Sequence, residues 1–531
     1  MQQTETKKKD IVGFFLKKGL LLNHDLLTIL EDEKSFLEIR NLIENNISQE
    51  ITVLNEKIKE FLDQATKTKL NWSEIEKIKA ISEKKGNKNY SGLFDPILNL
   101  KTPPTQKTTQ VENLVKVNFS YKSKPKKRKP LDFVEYFNHR FQATKNILKQ
   151  RQELRNTISI NRIQAKKDRD QVTVIGMVTD KRYTKNNNCM LTIEDDTGCI
   201  KALINKTKPS LFKMSKDIML DEVIGVVGVN GDNIIFVNNV LSPEIPTTKE
   251  IKKTDTEVYA LFLSDIHVGS KNFLDQDFKK FLKWINQDLG NEKQKHIASK
   301  VKYIFVLGDL VDGCGVYPGQ DKELSIKDVK EQYQECAKLL RQIPKDIKLI
   351  MCPGNHDAMR IAEPQLPFYK DFSEPLYDIP NTTIVSNPSW VNIHSSETFP
   401  GFDVLIYHGY SFDFYVAEVE SIRNQGGYNR IDLVMKFLLQ KRHLAPTHSS
   451  TLYVPDTDFD PLAITKIPDF FASGHVHKAA ASNYRNITLI SGSCWQSKTA
   501  FQEKVGHNPE PSRIPLVNLQ TREIKILKFG K

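Results

Sequence analysis

No stretch of this 531-residue chain comes near the ~20 consecutive apolar residues that a membrane-spanning helix requires. Met1 to Asp10 are polar and lysine-rich, without the apolar segment of a secretion signal. The expected location is therefore the cytoplasm, with no membrane partner. Cysteine is scarce: Cys189, Cys199, Cys314, Cys336, Cys352 and Cys494 are all there is, and no two form a C-x-x-C pair. That spacing gives no sign of a zinc ribbon or a thioredoxin-type site, and in a reducing compartment such thiols have no disulfide to make. Acid is outnumbered by base, 65 residues against 77, leaving a formal charge of +12 and a pI near 9.1. A basic surface favours polyanion partners, nucleic acid among them, although lysine-rich composition alone also raises the pI.

What is present changes character along the chain. Residues 1–65 read as a small helical domain: Ile11, Phe14 and Phe15 share a helical face, and Asn23 stands where it would cap a helix carrying Leu26, Leu27 and Leu30. Ile11, Phe14 and Phe15 also have the spacing of a sliding-clamp peptide, with Lys8 in place of the usual leading glutamine; a helix core is the preferred reading. Residues 66–130 are weakly periodic and read as a basic flexible linker, with six basic residues in the eight from Lys122 to Lys129. A helical connector is expected over 131–169, where Phe133, Phe137 and Phe141 fall on neighbouring turns. The period then switches to two. Short strands separated by Asp-Thr-Gly and Asn-Gly-Asp turns predict a small Greek-key barrel, an all-β OB-fold, over 170–245. Its aromatics are few, Tyr183, Phe212 and Phe236, so a packing role is favoured over autonomous binding of single strands. From 255 to 531 apolar strands alternate with helices, the pattern of an α/β domain.

In that last domain five apolar runs each end in possible ligands. Tyr259-Ala-Leu-Phe-Leu leads to Asp265 and His267, and Tyr303-Ile-Phe-Val-Leu to Asp309. Leu349-Ile-Met-Cys leads to Asn355, His356 and Asp357, Val404-Leu-Ile-Tyr to His408, and Phe470-Phe-Ala to His475 and His477. Open α/β sheets place their sites beyond the carboxyl ends of strands, so five such ends on one edge would build a single pocket. Carboxylate, amide oxygen and imidazole together suit Mn²⁺, Fe or Zn²⁺ better than an all-oxygen Mg²⁺ or Ca²⁺ cage. The seven candidates are Asp265, His267, Asp309, Asn355, His408, His475 and His477. One ion takes roughly four to six ligands, water included, so the set fits two divalent ions sharing one carboxylate.

These residues resemble the calcineurin-like metallophosphoesterase superfamily: Asp265-Ile-His267, Gly308-Asp309, Gly354-Asn355-His356-Asp357, His408 and Gly474-His475-Val-His477 match its motifs with no ligand position missing. The order of helical N-terminus, OB-fold and phosphoesterase narrows the resemblance to the archaeal family-D DNA polymerase small subunits. So does the local text Asp132-Phe-Val-Glu-Tyr-Phe-Asn-His-Arg and Ser491-Gly-Ser-Cys-Trp-Gln. The resemblance implies a multidomain fold: a small helical N-terminal domain, an OB-fold, then an α/β metallophosphoesterase of two packed mixed sheets flanked by helices. It implies that Asp309 bridges two metals, with Asp265, His267 and His477 completing one site and Asn355, His408 and His475 the other. His356 does not ligate in that family; it would serve the leaving 3′ oxygen, with Asp357 orienting it.

The function implied is 3′-to-5′ exonucleolytic proofreading beside a large catalytic polymerase subunit, with Mn²⁺ the expected metal and single-stranded or frayed DNA 3′ ends the substrate. Tyr410 and Phe412, directly after His408, would be a platform for unpaired bases, against a bland reading as packing residues. Two readings compete: a phosphatase or phosphodiesterase of another substrate class on the same fold, and a catalytically silent scaffold subunit.

Overall fold

The structure, a computed structural model, describes residues 115–530 except 124, 500, 501 and 504–507, together with the backbone of two short strands near the N-terminus. Those strands, β1 (Leu20–Leu22) and β2 (Thr52–Leu54), pair in parallel within a separate N-terminal unit, Met1–Gln110. The helices expected over 1–65, and Ile11, Phe14 and Phe15 with them, lie outside the described residues. So does most of the stretch expected to be a linker. One part of that expectation is corrected: Val115–Ser120 form a strand, β3, hydrogen-bonded to a strand of the phosphoesterase sheet. Its alternation of Val115, Val117 and Phe119 with Lys116 and Asn118 is a strand pattern masked by the low-complexity sequence around it.

Five strands close into a barrel: β4 (Gln171–Tyr183), β5 (Cys189–Asp195), β6 (Gly198–Ile204), β7 (Val223–Gly231) and β8 (Ile234–Leu241), in the order β4-β5-β6-β8-β7. Their period-two alternation puts Val172, Val174, Leu191, Ile193, Ile200, Ala202, Val226 and Ile235 inside. Closure leaves no unpaired edge. Of the three barrel aromatics, Tyr183 and Phe236 are about half exposed, at 49% and 48%, and Phe212 packs against the barrel core.

Two six-stranded sheets make the α/β domain. The first runs β12 (Thr382–Ile384), β11 (Lys348–Cys352), β10 (Val301–Leu307), β9 (Tyr259–Leu263), β18 (Arg513–Asn518), β19 (Ile524–Lys528). The second runs β16 (Ala480–Tyr484), β17 (Ile487–Ser491), β15 (Phe470–Ser473), β14 (Phe402–Ile406), β13 (Ser389–Ile393), β3. Both are mixed: β9 to β12 are parallel, as are β14, β15 and β17; β18, β13 and β16 run against these sets, and the edge strands β19 and β3 pair antiparallel with β18 and β13. Phe262, Phe305, Leu307, Val404, Ile406 and Phe470 fill the space between the sheets. Helices Asp275–Ile285 and Val329–Leu340 cover the first sheet's outer face, and Phe412–Glu418 and Ile431–Lys441 the second's. Because the central strands are buried on both sides, they read as unbroken apolar runs. No helix among the described residues is long and apolar enough to cross a membrane.

The helix Pro130–Leu148 ties barrel and sheets together. It packs Phe141 and Leu148 toward the barrel and Tyr136 toward the second sheet's helices. Its buried Arg140 donates from Nε to Asp460 Oδ2 at 2.8 Å and from Nη1 to the Pro446 carbonyl at 2.7 Å. His443 Nε2 lies 2.8 Å from the same carboxylate oxygen, and its Nδ1 accepts the Ala445 N–H at 2.9 Å. Burial, then Arg140, push the His443 imidazole down to about 4, so it is neutral at pH 7. Against burial, His443 and Arg140 hold the Asp460 carboxyl well below the usual range. Asp460→Ala, which strands a buried guanidinium, is expected to cost about 3–5 kcal/mol, whereas a joint Arg140→Met, Asp460→Leu replacement should cost far less. Urea unfolding of the two variants checks this; equal losses would mean the pair does not act as a unit.

Candidate metal centre

Each candidate ligand follows the carboxyl end of a strand. Asp265 and His267 follow β9, Asp309 follows β10, Asn355 follows β11, His408 follows β14, and His475 and His477 follow β15. Five of these residues take left-handed backbone conformations: Asp265, His267, Asp309, His475 and His477 have φ of 51°, 54°, 52°, 72° and 54°. Such geometry is unfavourable for non-glycine residues and persists only where the surroundings dictate it. Here neighbouring loops lace together: Asp265 N–H to the Gly308 carbonyl at 3.0 Å, His267 N–H to Asp309 at 3.1 Å, Gly474 N–H to His408 at 2.9 Å, and Trp495 N–H to Asp265 at 2.9 Å. Gly354 and Gly474 are glycines for want of room: a Cβ on either would run into the Asp309 carboxylate or the Ser264 hydroxyl.

The side chains converge in two halves. In one, His267 Nε2 and His477 Nε2 are 3.1 Å apart, and Asp265 Oδ1 lies 3.4 Å from His477 Nε2 and 4.0 Å from His267 Nε2. In the other, Asn355 Oδ1 is 3.0 Å from both His408 Nε2 and His475 Nδ1. Asp309 Oδ2 stands between the halves, 3.3 Å from His408 Nε2 and 4.0 Å from His267 Nε2. The donor atoms of Asp265, His267 and His477 lie within 4.8 Å of one another, as do those of Asp309, His408 and His475; His356 comes within the same range of His267 and Asp309.

The arrangement fits a pair of cations. Asp265 Oδ2 is held by the Ser264 hydroxyl and by the His475 N–H at 2.9 Å, yet Oδ1 is buried with no hydrogen-bond partner. A buried carboxylate oxygen left so is costly unless a metal takes its lone pairs. The imidazoles are turned to suit. His408 Nδ1 meets the Leu307 carbonyl at 2.7 Å, which leaves Nε2 to ligate, and His475 Nε2 meets Asp413 Oδ2 at 3.0 Å, which leaves Nδ1. Asp312 Oδ1 lies 3.1 Å from His267 Nδ1, an ion-pair approach without hydrogen-bonding geometry, on the side of the ring away from Nε2. Although burial opposes it, the Asp309 carboxylate pushes His408 up to about 10, while His408 and His356 hold Asp309 well below the usual carboxylate range.

All seven expected ligands therefore meet in one place. His356 is beside them, its ring centre 4.7 Å from that of His267. Asp357 is a correction: it does not touch the His356 ring. Its carboxylate accepts the Gly354 N–H at 2.8 Å, the Leu310 N–H at 3.2 Å and the Tyr333 hydroxyl at 3.1 Å, binding the β10 and β11 loops together. What orients His356 is the Asp312 carbonyl, 2.9 Å from Nδ1. Phe412 is a second correction. It is fully buried among Tyr407, Tyr415 and Leu438, and no base can stack on it. Tyr410 is half-buried at the rim, 5.8 Å ring to ring from His475. Sequence reasoning missed Ser264, Asp312 and Asp413. Asp312 carried a signal, since a second aspartate three residues after Asp309 in a loop places another carboxylate near the first.

A family model of calcineurin-like phosphoesterases matches residues 259–479, and one of the OB-fold nucleic acid binding domain matches residues 172–230. The chain is 41% identical over 399 residues to the DNA polymerase II small subunit of Methanothermobacter thermautotrophicus, covering 75% of this chain and 79% of that one. It is 38% identical to the protein of the same name from Methanocaldococcus jannaschii and 36% to that of Pyrococcus furiosus. Those matches cover 73% and 75% of this chain and 64% of each relative, a little under two thirds of their length.

Because Asp309 Oδ2 stands between the two halves, Asp309→Ala is expected to abolish retention of added manganese, read as manganese per chain by elemental analysis after desalting. Asp312→Ala should weaken manganese affinity about 10–100-fold in calorimetry, the usual cost of losing a carboxylate that orients a ligating imidazole. Unchanged affinity would remove Asp312 from the site.

Proposed function

The chain belongs to the archaeal family-D DNA polymerase small subunits, and we propose that its phosphoesterase domain is a 3′-to-5′ exodeoxyribonuclease that trims single-stranded or frayed DNA ends for a polymerase whose synthetic site lies on a large partner subunit. The observation that carries this reading is the convergence of all seven donor residues in two adjoining halves with Asp309 between them, one half holding a buried Asp265 oxygen that accepts no hydrogen bond. A subunit serving only as a scaffold has no reason to keep that arrangement, which is costly to bury. The basic balance of the chain, +12, and the barrel beside the phosphoesterase favour a nucleic-acid substrate over a small phosphate ester.

Asp265, His267, Asp309 and His477 would hold one ion, and Asp309, Asn355, His408 and His475 the other, with manganese the best match to the donors. Two such ions lower the pKa of water and clamp the oxygens of the scissile phosphate. The remaining work falls to the chain itself. Hydrolysis adds the oxygen of water to phosphorus, breaks the bond from phosphorus to the 3′ oxygen, and leaves a proton to be placed on that oxygen. His356 is the group for this step. Its Nδ1–H is committed to the Asp312 carbonyl and its backbone N–H to Asp309 Oδ1 at 2.7 Å, so loop and ring are both fixed and Nε2 is the nitrogen left for the 3′ oxygen; burial lowers the ring's hold on a second proton, so Nε2 would take up the proton that the attacking water gives up and pass it to that oxygen. The products are a nucleoside 5′-monophosphate and a strand with a free 3′ hydroxyl, which a polymerase can extend. This role goes with a cytoplasmic location beside the replication machinery.

The test is a time course on single-stranded DNA labelled at the 5′ end and mismatched at the 3′ end. Manganese should support stepwise shortening, and a chelator should stop it. His356→Ala should slow cleavage by about 10²–10⁴-fold, the usual worth of a positioned proton donor, while bound manganese is unchanged. DNA left intact by the wild-type protein would sink the nuclease reading, and full activity in His356→Ala would sink the assignment of that residue.

A further inference from the structure

The basic run within residues 122–129, expected from the sequence to belong to a flexible linker, is pinned beside the loops of the metal centre. Tyr121, just before it, is buried; its N–H donates to Ser386 Oγ at 2.6 Å and its hydroxyl to Asp456 Oδ2 at 2.7 Å. The residue after Ser386, Asn387, accepts the N–H of the ligand His408 at 2.9 Å and donates from Nδ2 to Gln365 Oε1 at 2.7 Å. Gln365 in turn donates from Nε2 to the carbonyls of Gly354 at 2.9 Å and Arg360 at 3.1 Å. Arg360 follows His356 by four positions, and its guanidinium lies over the Tyr121 ring, 6.0 Å from the ring centre. Farther along the run, Lys126 Nζ donates to Thr457 Oγ1 at 3.2 Å and the Lys129 N–H to Asp132 Oδ2 at 3.0 Å.

What this arrangement offers to solvent is charge without counter-charge. Lys122, Lys126, Lys127 and Lys129 are exposed, and Arg128 is partly so. Among the described residues none of these five, nor Arg360, forms an ion pair. The acids close by are otherwise engaged: Asp456 Oδ2 takes the Tyr121 hydroxyl and its Oδ1 the Asp458 N–H at 2.9 Å, while Asp132 Oδ2 takes the Lys129 N–H. Burial lowers the Arg360 guanidinium from its ordinary value, and the approach of Arg128 adds to that. A tether has no need of such anchors, and a pinned segment gains nothing by itself from gathering charges that repel one another. A polyanion laid along it relieves the repulsion, and the counterions it sheds drive the binding. A nucleic-acid strand suits this better than an acidic protein face, because the strip runs up to the loops where a phosphodiester would be cut. A strand trimmed from its 3′ end extends from the site only in the 5′ direction, and that part needs a neighbouring surface to lie on.

We propose that Lys122, Lys126, Lys127, Arg128, Lys129 and Arg360 form a track for the sugar-phosphate backbone of the strand being trimmed, holding the part that lies 5′ to the scissile bond. This rests on the exonuclease reading above. Contacts to phosphate carry no sequence information, which suits an activity that has to accept any terminus. They also let a protein slide along the strand, so the grip is kept from one cut to the next.

The test uses the full-length protein and a long single-stranded DNA oligonucleotide, with binding read by fluorescence anisotropy in chelator across a salt series. The slope of log affinity against log salt should shrink by about 0.7 for each phosphate contact removed, and so by about 2 in the triple variant Lys122→Ala, Lys127→Ala, Lys129→Ala. Arginine at the same three positions should restore it. A charge-matched control, Lys283→Ala, Lys293→Ala, Lys345→Ala, changes three exposed lysines around the first sheet and should keep the wild-type slope. An unchanged slope in the track variant, or an equal fall in the control, overturns the proposal. An unchanged slope together with lost capture of the large polymerase subunit assigns the strip to a protein interface, which overturns it too. If the slope falls as expected but DNA stays intact in manganese, the track stands and the nuclease reading falls. If DNA is shortened while the track variant keeps the wild-type slope, the nuclease reading stands and the track falls.

Discussion

Burying a carboxylate costs several kcal/mol unless positive charge or hydrogen bonds compensate it, and three of them, Asp265, Asp309 and Asp312, lie essentially out of water within one cluster. The rest of the domain can be read as the means of meeting that cost. Four imidazoles are brought to the acids from the loops after β9, β14 and β15, strands far apart in the chain. The oxygens facing outward from the cluster are occupied: Asp265 Oδ2 by the Ser264 hydroxyl and the His475 N–H, Asp309 Oδ1 by the His356 N–H, and Asp312 by Gln320 and Gln496. Only oxygens facing inward are left unmatched. Divalent ions are the compensation that remains, so the affinity for metal is inherent in the folding of the loops. The left-handed backbone at five of the ligand residues is a second cost accepted for the same end.

Only a sheet with several parallel strands can deliver so many loops to one edge, because parallel neighbours end on the same side. Here each of two sheets contributes, β9 to β11 from one and β14 and β15 from the other, and the centre forms where their carboxyl ends face each other. The site is therefore sensitive to how the sheets pack, which gives the far-off Arg140–Asp460 pair its importance. That pair fixes a helix from outside the α/β region onto the layer of helices that backs the second sheet. The barrel is fastened to the same layer by the buried Lys441–Glu222 pair at 2.5 Å.

Much of this was legible in the sequence, for a physical reason. A strand buried on both faces must be an apolar run, and a loop that ligates metal must carry Asp, Asn or His just beyond it; both signals are local. What failed was inference from adjacency. Asp357 follows His356, yet successive side chains in such a turn point in different directions, and its carboxylate turns back to the Gly354 N–H three residues earlier. Phe412 stands two residues after Tyr410, but it begins the helix Phe412–Glu418, whose inner face is core. The strand Val115–Ser120 was lost because its pairing partner, β13, lies more than two hundred and fifty residues away, and no window of sequence sees that.

The residue that most repays attention is one no motif singled out. Asp312 holds its carboxylate 3.1 Å from His267 Nδ1 and its carbonyl 2.9 Å from His356 Nδ1, while Gln320 and Gln496 bind what remains. His267, His356 and the Gln320 side chain are therefore tied to one residue. Fixing several groups from one buried residue means that each is held in place before substrate arrives, which is how geometry becomes rate when the chemistry needs water, phosphate and acid aligned at once. It also means that losing Asp312 would loosen all of them together.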